Sequence, residues 1–228
     1  KNMVSTPKAE MSAASRKRPR NAAIAADSEP RVPSTPVTLS GGTSLPSRIV
    51  ELWRQGLVCD ATVSAGGRDF HVHRVVLMSG SQFFDGAFGS GLAESSSARV
   101  ALPELSAPTV EAVLTFLYAG ECETTETALT PLLHAAVFLQ ISALVSAAVT
   151  EIIERLAPQN CLAAWALAGT LSIPALACAS KEVTLRHFSE VAASDAFLTL
   201  PHSRVLDLLG DERLCTIKEE AVHEVAMR

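Results

Sequence analysis

The sequence predicts an α+β protein, predominantly helical, in which a small sheet with helices is followed by an all-helical region. Residues 58–72 have the pattern of a β-hairpin, because two strand-like segments flank a Gly-Gly pair at 66–67. Val100 and Leu102 alternate with small or polar residues and predict a third short strand. Beyond Gly120 the apolar residues have helical spacing, so the sheet is expected to lie entirely before that residue.

The first 44 residues are predicted to form a disordered basic tail. The chain has 228 residues and a net charge of -5, but residues 1–48 carry eight Lys and Arg against three Asp and Glu. Every Phe, Trp and Tyr lies after residue 48. A segment without aromatic residues that is rich in Ser, Thr, Pro and Ala buries too little apolar surface to offset its conformational entropy.

Helices are predicted on both sides of the hairpin. The first begins near Pro46 and ends at Gly56, because proline is favoured at a helix start and glycine just beyond a helix end. A longer helix is expected between Ser106, which is a good capping residue, and Gly120. Two shorter helices are expected at 74–78 and 83–88.

Two long stretches without charge, 127–150 and 156–180, have the length of membrane-spanning helices. Across the end of the first, over residues 141–154, apolar residues recur with helical spacing while Ser, Thr and Glu occupy the opposite side, which predicts a helix that packs on a core. Gly169, Ser172 and Pro174 interrupt the second, which predicts a helix, a turn and another helix. We therefore predict no transmembrane helix, and the first thirty residues contain no apolar signal peptide.

Asp69, His71 and His73 form the most metal-like pattern in the sequence. Alternate residues of a strand share a face, so two imidazoles and one carboxylate could lie together. The interpretation that we favour is that Phe70 and Val72 face the core and the polar residues face solvent, since no other His or Cys lies close in sequence. A phosphate-binding loop and a nucleophile-elbow motif are also missing from the sequence. We predict no metal site, no cofactor and no enzymatic activity.

Five cysteines are widely separated along the chain. Their spacing matches neither a zinc module nor a redox pair, so we expect buried structural thiols. The alternative is a redox sensor that acts through one exposed cysteine of lowered pKa. The five residues are Cys59, Cys122, Cys161, Cys178 and Cys215.

The tail contains a compact basic run. Arg16, Lys17, Arg18 and Arg20 lie within five residues, which is typical of a nuclear import signal and equally of a solvated charge cluster. From residue 49 onward the chain is acidic, with eleven Lys and Arg against twenty-one Asp and Glu, so we expect no direct contact with nucleic acid. The predicted location is intracellular, in the cytoplasm, the nucleus or both.

The segment 57–94 resembles the opening of a BTB (POZ) domain. The family pattern is an Asp before a hairpin, then Phe-x-x-His-Arg-x-x-Leu, then Ser-x-x-Phe and a further Phe. The resemblance continues through the segments 102–103, 114–120 and 132–136, so residues 45–156 are assigned to this domain. It implies an α+β dimerisation module. The matching positions are Asp60, Phe70, His73, Arg74, Leu77, Ser81, Phe84 and Phe88.

Residues 157–228 are similar to a BACK domain, the helical module that follows BTB in Kelch-like proteins. The segment 157–162 resembles the usual entry of this module. The chain stops before the tryptophan-bearing end of the module, so we expect a BACK domain that is truncated at its C-terminus. The other similar positions are Phe188, Phe197, Leu200, Leu208, Leu209, Leu214, Glu219, Glu220 and Val222.

The resemblance implies a homodimer formed through the BTB domain. In that family the first helix packs against its twofold mate, and the corresponding apolar stripe here is Ile49, Leu52 and Trp53. The family also keeps a charged pair in a pocket near the dimer interface, because a buried carboxylate needs a partner of opposite charge. The residues at that pocket are Asp60 and Arg74, with His73 beside them in a structural role.

The segment that follows Phe88 carries the motif with the most direct functional meaning. Leu92-Ala93-Glu94 matches the hydrophobic-x-Glu motif with which many BTB adaptors contact a cullin, and it offers one apolar anchor and one carboxylate. The cullin-docking residues that the resemblance implies are Leu92, Glu94 and Phe88. The resemblance implies a dimeric adaptor of a cullin-RING ubiquitin ligase, with the protein substrate bound by a region outside this chain. The alternative is a BTB homodimer that acts as a scaffold in transcriptional regulation without binding a cullin.

Overall fold

Residues 35–89 and 98–214 are described by the computed structural model, and they confirm the predicted α+β class with a helical second part. The strands are β1 (Pro36–Ser40), β2 (Ala61–Ala65), β3 (Arg68–Val72), β4 (Arg99–Ala101) and β5 (Glu121–Thr125). The first helices are α1 (Ser47–Arg54), α2 (Arg74–Gly80), α3 (Gln82–Gly89) and α4 (Ala107–Ala119). The later helices are α5 (Glu126–Phe138), α6 (Ser142–Glu154), α7 (Cys161–Leu171), α8 (Pro174–Arg186), α9 (Phe188–Ala192), α10 (Asp195–Leu198) and α11 (His202–Leu209).

The predicted hairpin is present as β2 and β3. The two strands pair antiparallel, with Val63 opposite Phe70. Gly66 and Gly67 both adopt a positive φ, 53° and 76°, as a two-residue type I′ turn requires. β4 pairs with β2 in parallel on the other side, so the strand order is β3-β2-β4 and β3 forms one edge of the sheet.

β1 and β5 form a second sheet of two antiparallel strands, which the sequence analysis did not predict. Val37 and Leu39 of β1 are 2% and 0% exposed, so the predicted tail through residue 44 is wrong for residues 36–40. The prediction that only helices follow Gly120 is wrong for β5. The composition of the tail is dominated by Ser, Thr and Pro, so Val37 and Leu39 gave no signal of a strand. They are buried because β1 pairs with β5, which lies far along the chain.

α4 is buried along most of its length. The Ser106 hydroxyl accepts a hydrogen bond from the Thr109 N–H at 3.3 Å, and Gly120 ends the helix with a φ of 78°, as predicted. Gly42 donates its N–H to the carbonyl oxygen of Gly120 at 3.0 Å, and a Cβ added at Gly120 would lie 2.9 Å from the Gly42 carbonyl oxygen. Gly120 must therefore be a glycine for two reasons, its positive φ and the close approach of the Gly42 carbonyl oxygen. The large buried side chains of α4 are Val110, Val113, Leu114, Phe116 and Tyr118.

The helices of the second half belong to two apolar clusters. Leu133 of α5 and Leu144 of α6 are fully buried in the core that also contains the sheets. The predicted break lies between the end of α7 and the start of α8 at Pro174, while Gly169 is accommodated inside α7. The second cluster consists of Cys161, Leu162, Trp165, Leu185, Phe188, Val191, Ala192, Phe197 and Leu208. Among the described helices, none combines the length and the apolar character needed to cross a membrane.

Ser180 of α8 offers a test of this second half. It is fully buried, and its hydroxyl has no hydrogen-bond partner among the described residues. A buried hydroxyl without a partner costs about 1–3 kcal/mol, so we expect Ser180→Ala to raise the free energy of unfolding by about 1 kcal/mol in urea titrations.

Thr184, one turn later, is the matched control. Its buried hydroxyl does have partners, because it donates to the Ser180 carbonyl oxygen at 2.9 Å and lies 3.3 Å from the Cys161 Sγ. Thr184→Val removes these contacts and should lower the free energy of unfolding. A loss of stability in Ser180→Ala as well would contradict the assignment of an unpaired hydroxyl.

Candidate protein-docking surfaces

His73 and Tyr118 form a hydrogen-bonded pair between α2 and α4. The Tyr118 hydroxyl oxygen accepts from the main-chain N–H of His73 at 2.8 Å and lies 2.9 Å from the imidazole Nδ1. The Nε2 of His73 lies 3.1 Å from the carbonyl oxygen of Leu57, which can only accept, so Nε2 carries the proton and Nδ1 accepts from the hydroxyl. Burial raises the pKa of Tyr118 above its ordinary value. His73 thus joins three segments of the chain.

Trp53 of α1 extends this pair. Its ring stacks on Tyr118, with ring centroids 4.3 Å apart and ring planes 8° from parallel. Ile49 also packs against the core, whereas Leu52 is half-buried and does not join that core. Two residues of the stripe predicted to form the dimer interface, Ile49 and Trp53, therefore pack on the protein's own core. Leu52 is the residue of the stripe that is left to contact a second copy.

Asp60 and Arg74 contact each other in a way that differs from the expected ion pair. The Asp60 carboxylate is exposed, and it accepts from the main-chain N–H of Arg74 at the start of α2, at 2.8 Å. The guanidinium of Arg74 extends the other way, 5.5 Å from the centre of the Phe88 ring. Its buried Nε has no hydrogen-bond partner among the described residues. Asp60 therefore stabilises the helix start, where a negative charge is favoured, instead of pairing with the guanidinium.

Three large apolar side chains near His73 are exposed. Leu57, Val58 and Val75 are 48%, 78% and 72% exposed. The hydrogen bond from His73 to Leu57 holds the segment before β2 against the start of α2, where Val75 lies. We call Leu57, Val58 and Val75 the α2 apolar patch. This patch was not predicted, because the spacing of apolar residues in a sequence does not reveal which of them lack a neighbour that covers them.

A row of aromatic rings connects α3 with the end of α5. Phe84 and Phe88 are 1% and 5% exposed, and their ring centroids lie 6.0 Å apart. The ring of Phe83 is 5.4 Å from that of Phe84 and 5.2 Å from that of Phe138, which is 50% exposed. Phe88, expected at the docking surface, is therefore a buried support, and Phe138 is the exposed ring, which the sequence analysis did not single out.

Several predicted site residues lie outside the described residues. Leu92 and Glu94 follow α3 directly in the chain, and the basic run at 16–20 precedes β1. Cys215 and the last BACK-like positions follow Leu214. The predictions made for them stay predictions.

Comparison with known proteins assigns the family. Residues 49–156 match the family model of the BTB/POZ domain, and residues 161–228 match the model described as BTB And C-terminal Kelch, which is the BACK domain. The chain is a BTB–BACK protein of the Kelch-like type. The two matches follow one another in the order that the sequence resemblance predicted, and they place the β3-β2-β4 sheet, β5, Tyr118 and the α2 apolar patch within the BTB domain, whereas β1 precedes the matched residues.

Relatives of this BTB–BACK chain are named as Kelch-like proteins or for Kelch repeats and a BTB domain. Kelch-like protein 38 of Mus musculus is 37% identical over 171 residues, which are 75% of this chain and 29% of the relative. Kelch-like protein 21 of Rattus norvegicus is 36% identical over 165 residues, 72% of this chain and 28% of the relative. Kelch repeat and BTB domain-containing protein 2 of Homo sapiens is 29% identical over 184 residues, 81% of this chain and 30% of the relative. The chain thus spans less than a third of the length of these relatives.

The outer face of the BTB sheet holds the residues of the metal-like pattern. The Asp69 carboxylate accepts from the Ser64 hydroxyl at 2.7 Å and from the Arg99 guanidinium at 2.8 Å, and these contacts hold the pKa of Asp69 below its usual value. His71 shares this face, whereas His73 is held by Tyr118. Within residues 35–89 and 98–214, no group of three or more His, Cys, Asp or Glu side chains is arranged to hold a metal ion.

The cysteines of the two domains differ in their surroundings. Cys122 and Cys161 are buried, Cys59 is half-buried and Cys178 is exposed on α8 of the BACK domain, so the expectation of buried thiols is wrong for Cys178. Burial raises the pKa of the Cys122 thiol to about 11. Burial, and then the neighbouring Asp60 carboxylate, raise the pKa of the Cys59 thiol.

These surroundings predict an order of alkylation. The thiolate is the reacting species, so Cys178, which is exposed, should react with iodoacetamide at least about tenfold faster than Cys122, which is buried and has a raised pKa. Peptide mass spectrometry of the native protein over time measures both rates. Cys178→Ser should remove the fast reaction and leave the slow one unchanged, and equal rates at both residues would contradict the burial of Cys122.

Proposed function

We propose that this chain is the BTB–BACK part of a dimeric adaptor that recruits protein substrates to a cullin-RING ubiquitin ligase. The observation that supports the proposal most directly is the exposed Phe138 ring beside α3, from whose end the chain continues to Leu92 and Glu94. An aromatic ring, an apolar anchor and a carboxylate are a suitable combination for the centre of a protein interface. The adaptor has a binding role, and we assign it no catalytic step and no cofactor.

The cullin-docking surface in this proposal has a rigid base. Phe84 and Phe88 fix α3 in the core, and Phe83 connects α3 with Phe138. A ring whose neighbours are already fixed loses little conformational entropy when a partner covers it. Leu92 then supplies the apolar anchor and Glu94 the charge that selects a partner of opposite potential.

The dimer contact in this proposal uses the α2 apolar patch together with Leu52. Exposed apolar side chains that lie close together mark surfaces that a partner covers. In a twofold contact the same patch is present on both copies, so it must be complementary to itself.

The substrate-binding region is proposed to lie outside this chain. The relatives are more than three times as long as the part that matches, and one of them is described as containing Kelch repeats. We place the adaptor inside the cell, and we propose the run Arg16, Lys17, Arg18 and Arg20 as its nuclear import signal.

Isothermal titration of the full chain with a purified cullin N-terminal domain tests this function. Leu92→Ala, Glu94→Ala and Phe138→Ala should each weaken binding by about tenfold or more, because each removes a central contact. Leu198→Ala is the matched control, since Leu198 is 60% exposed but lies in α10 of the BACK domain. Its affinity should equal that of the unchanged chain.

Two outcomes would contradict parts of the proposal. A dimer that binds no cullin at micromolar concentration rules out the ligase role and favours the scaffold in transcriptional regulation. Binding that is unaffected by Leu92→Ala and Glu94→Ala shows that the cullin docks elsewhere on the chain.

A further inference from the structure

β3 has an open edge whose hydrogen-bonding groups can be identified from the pairing of β2. Thr62 donates its N–H to the Ala98 carbonyl oxygen at 2.8 Å, and Ser64 accepts from the Leu102 N–H at 2.8 Å, so the main-chain groups of these two residues face β4. Along a strand, these groups point alternately to the two sides. The residues of β2 that bond to β3 are therefore Ala61, Val63 and Ala65.

The same alternation applies to β3. Val63 lies opposite Phe70, so the main-chain groups of Phe70 face β2, and those of Asp69 and His71 face outward. The outward groups are two N–H donors and two C=O acceptors, and no other described residue bonds to them. An unpaired edge of this kind is a template for one more strand.

A cleft lies directly beside this open edge. Its volume is about 390 Å³, and its lining includes Trp53 and Arg54 of α1, Phe70 and His71 of β3 and Thr115 of α4. Alternate side chains of a strand added to β3 would point to the inner side of the sheet, where this cleft lies. Trp53 and Phe70 give that space an aromatic wall suited to a large apolar side chain.

The charges around the cleft favour an acidic partner. Arg68 is bound to Glu111 at 2.8 Å, and Asp69 is bound to Arg99 at 2.8 Å, so these four charges are compensated. Arg54 is exposed and has no carboxylate partner among the described residues. The remaining uncompensated charge at the cleft is therefore positive, which attracts a carboxylate.

We propose that the open edge of β3 binds an extended acidic peptide segment of a partner protein as an added strand. The main chain of the peptide pairs with Asp69 and His71, one large apolar side chain enters the cleft against Trp53 and Phe70, and a nearby carboxylate contacts Arg54. The peptide site uses none of the side chains assigned to the dimer contact or to cullin docking, although Trp53 and Gly56 of its lining are the chain neighbours of Leu52 and Leu57. Its test measures peptide binding and amide protection, so the outcome is distinguishable from that of the proposed function.

Pooled acetylated peptides of about eight residues test the proposal. In one pool a Phe or Leu is followed two residues later by Glu, and in the matched pool Lys replaces that Glu. We expect fluorescence polarisation to select the Glu pool, and amide hydrogen exchange at Asp69 and His71 to slow in its presence. Arg54→Glu should weaken the selected peptide by at least about tenfold and shift the preference to the Lys pool.

Two controls address the main-chain contact. Methylation of the backbone nitrogens that bond to β3 should weaken the selected peptide by at least about tenfold, and this change does not alter the protein. His71→Pro removes one outward N–H at a position where an edge strand tolerates proline, and it should weaken binding similarly.

Three results would overturn the proposal. The first is that neither pool binds below millimolar concentration. The second is that binding is unaffected by backbone methylation of the peptide and by Arg54→Glu. The third is that the Asp69 and His71 amides become protected without peptide as protein concentration rises, which would mean that the edge is covered by a second copy.

Discussion

Tyr118→Ala is expected to lower the free energy of unfolding by about 4 kcal/mol. The substitution removes a fully buried ring, its stacking on Trp53 and its hydrogen bonds to His73. Truncation of buried aromatic side chains costs about 3–5 kcal/mol, and the His73 N–H that loses its acceptor adds to this cost. Urea unfolding followed by circular dichroism measures the change.

Tyr118→Phe is the matched control that separates the ring from its hydroxyl. It keeps the stacking on Trp53 and removes only the contacts to His73, so the expected loss is about 1–3 kcal/mol. A loss as large as that of Tyr118→Ala would contradict the role assigned to the ring.

The stabilities of the unchanged protein and of Tyr118→Phe should also respond differently to alkaline solution. Burial raises the pKa of Tyr118, so the native protein keeps a proton that the unfolded chain releases above its ordinary pKa of about 10. The stability contributed by the protonated hydroxyl is complete below that pH and falls as pH rises, by up to about 1.4 kcal/mol per pH unit. The stability difference between the unchanged protein and Tyr118→Phe should therefore narrow above about pH 10. A constant difference would contradict the burial of a neutral hydroxyl.

Val75→Asp is expected to dissociate the proposed dimer. Val75 is 72% exposed in the isolated chain, so the substitution should change the free energy of unfolding by less than about 0.5 kcal/mol. In a twofold contact, however, two unpaired carboxylates would be buried, and the dimer dissociation constant should rise by about 100-fold or more. Light scattering at a series of protein concentrations measures this constant.

Leu206→Asp provides the comparison for Val75→Asp. Leu206 is 57% exposed and lies in α11 of the BACK domain, so the same charge there should leave the dimer intact. If both variants remain dimeric, the α2 apolar patch is not the interface. If both become monomeric, the BACK domain takes part in dimerisation, and the contact proposed here is incomplete.

Local sequence signals were sufficient for the elements that depend on neighbouring residues. The Gly-Gly turn between β2 and β3 requires positive φ at both positions, and the Ser106 cap and Gly120 end of α4 follow from main-chain hydrogen bonding. The break before Pro174 follows from the missing N–H of proline. In each case the physical cause lies within a few residues of the feature.

The features that the sequence did not reveal depend on contacts between distant segments. β1 forms because β5, far along the chain, pairs with it, and local composition contains no record of that partner. Trp53, predicted in the stripe that contacts the twofold mate, stacks on Tyr118 of its own chain, and Phe138 is exposed although its neighbours in α5 are buried. The spacing of apolar residues predicts a face, but the packing of other elements decides which part of that face is covered.

Sedimentation of the full chain mixed with a cullin N-terminal domain tests the central claim most directly. The account predicts a single complex that contains two copies of the chain and two of the cullin domain. Glu94→Ala should lose the cullin and remain a dimer, and Val75→Asp should bind the cullin as a monomer. A chain that is monomeric at micromolar concentration, or a dimer that does not sediment with the cullin, would contradict the account.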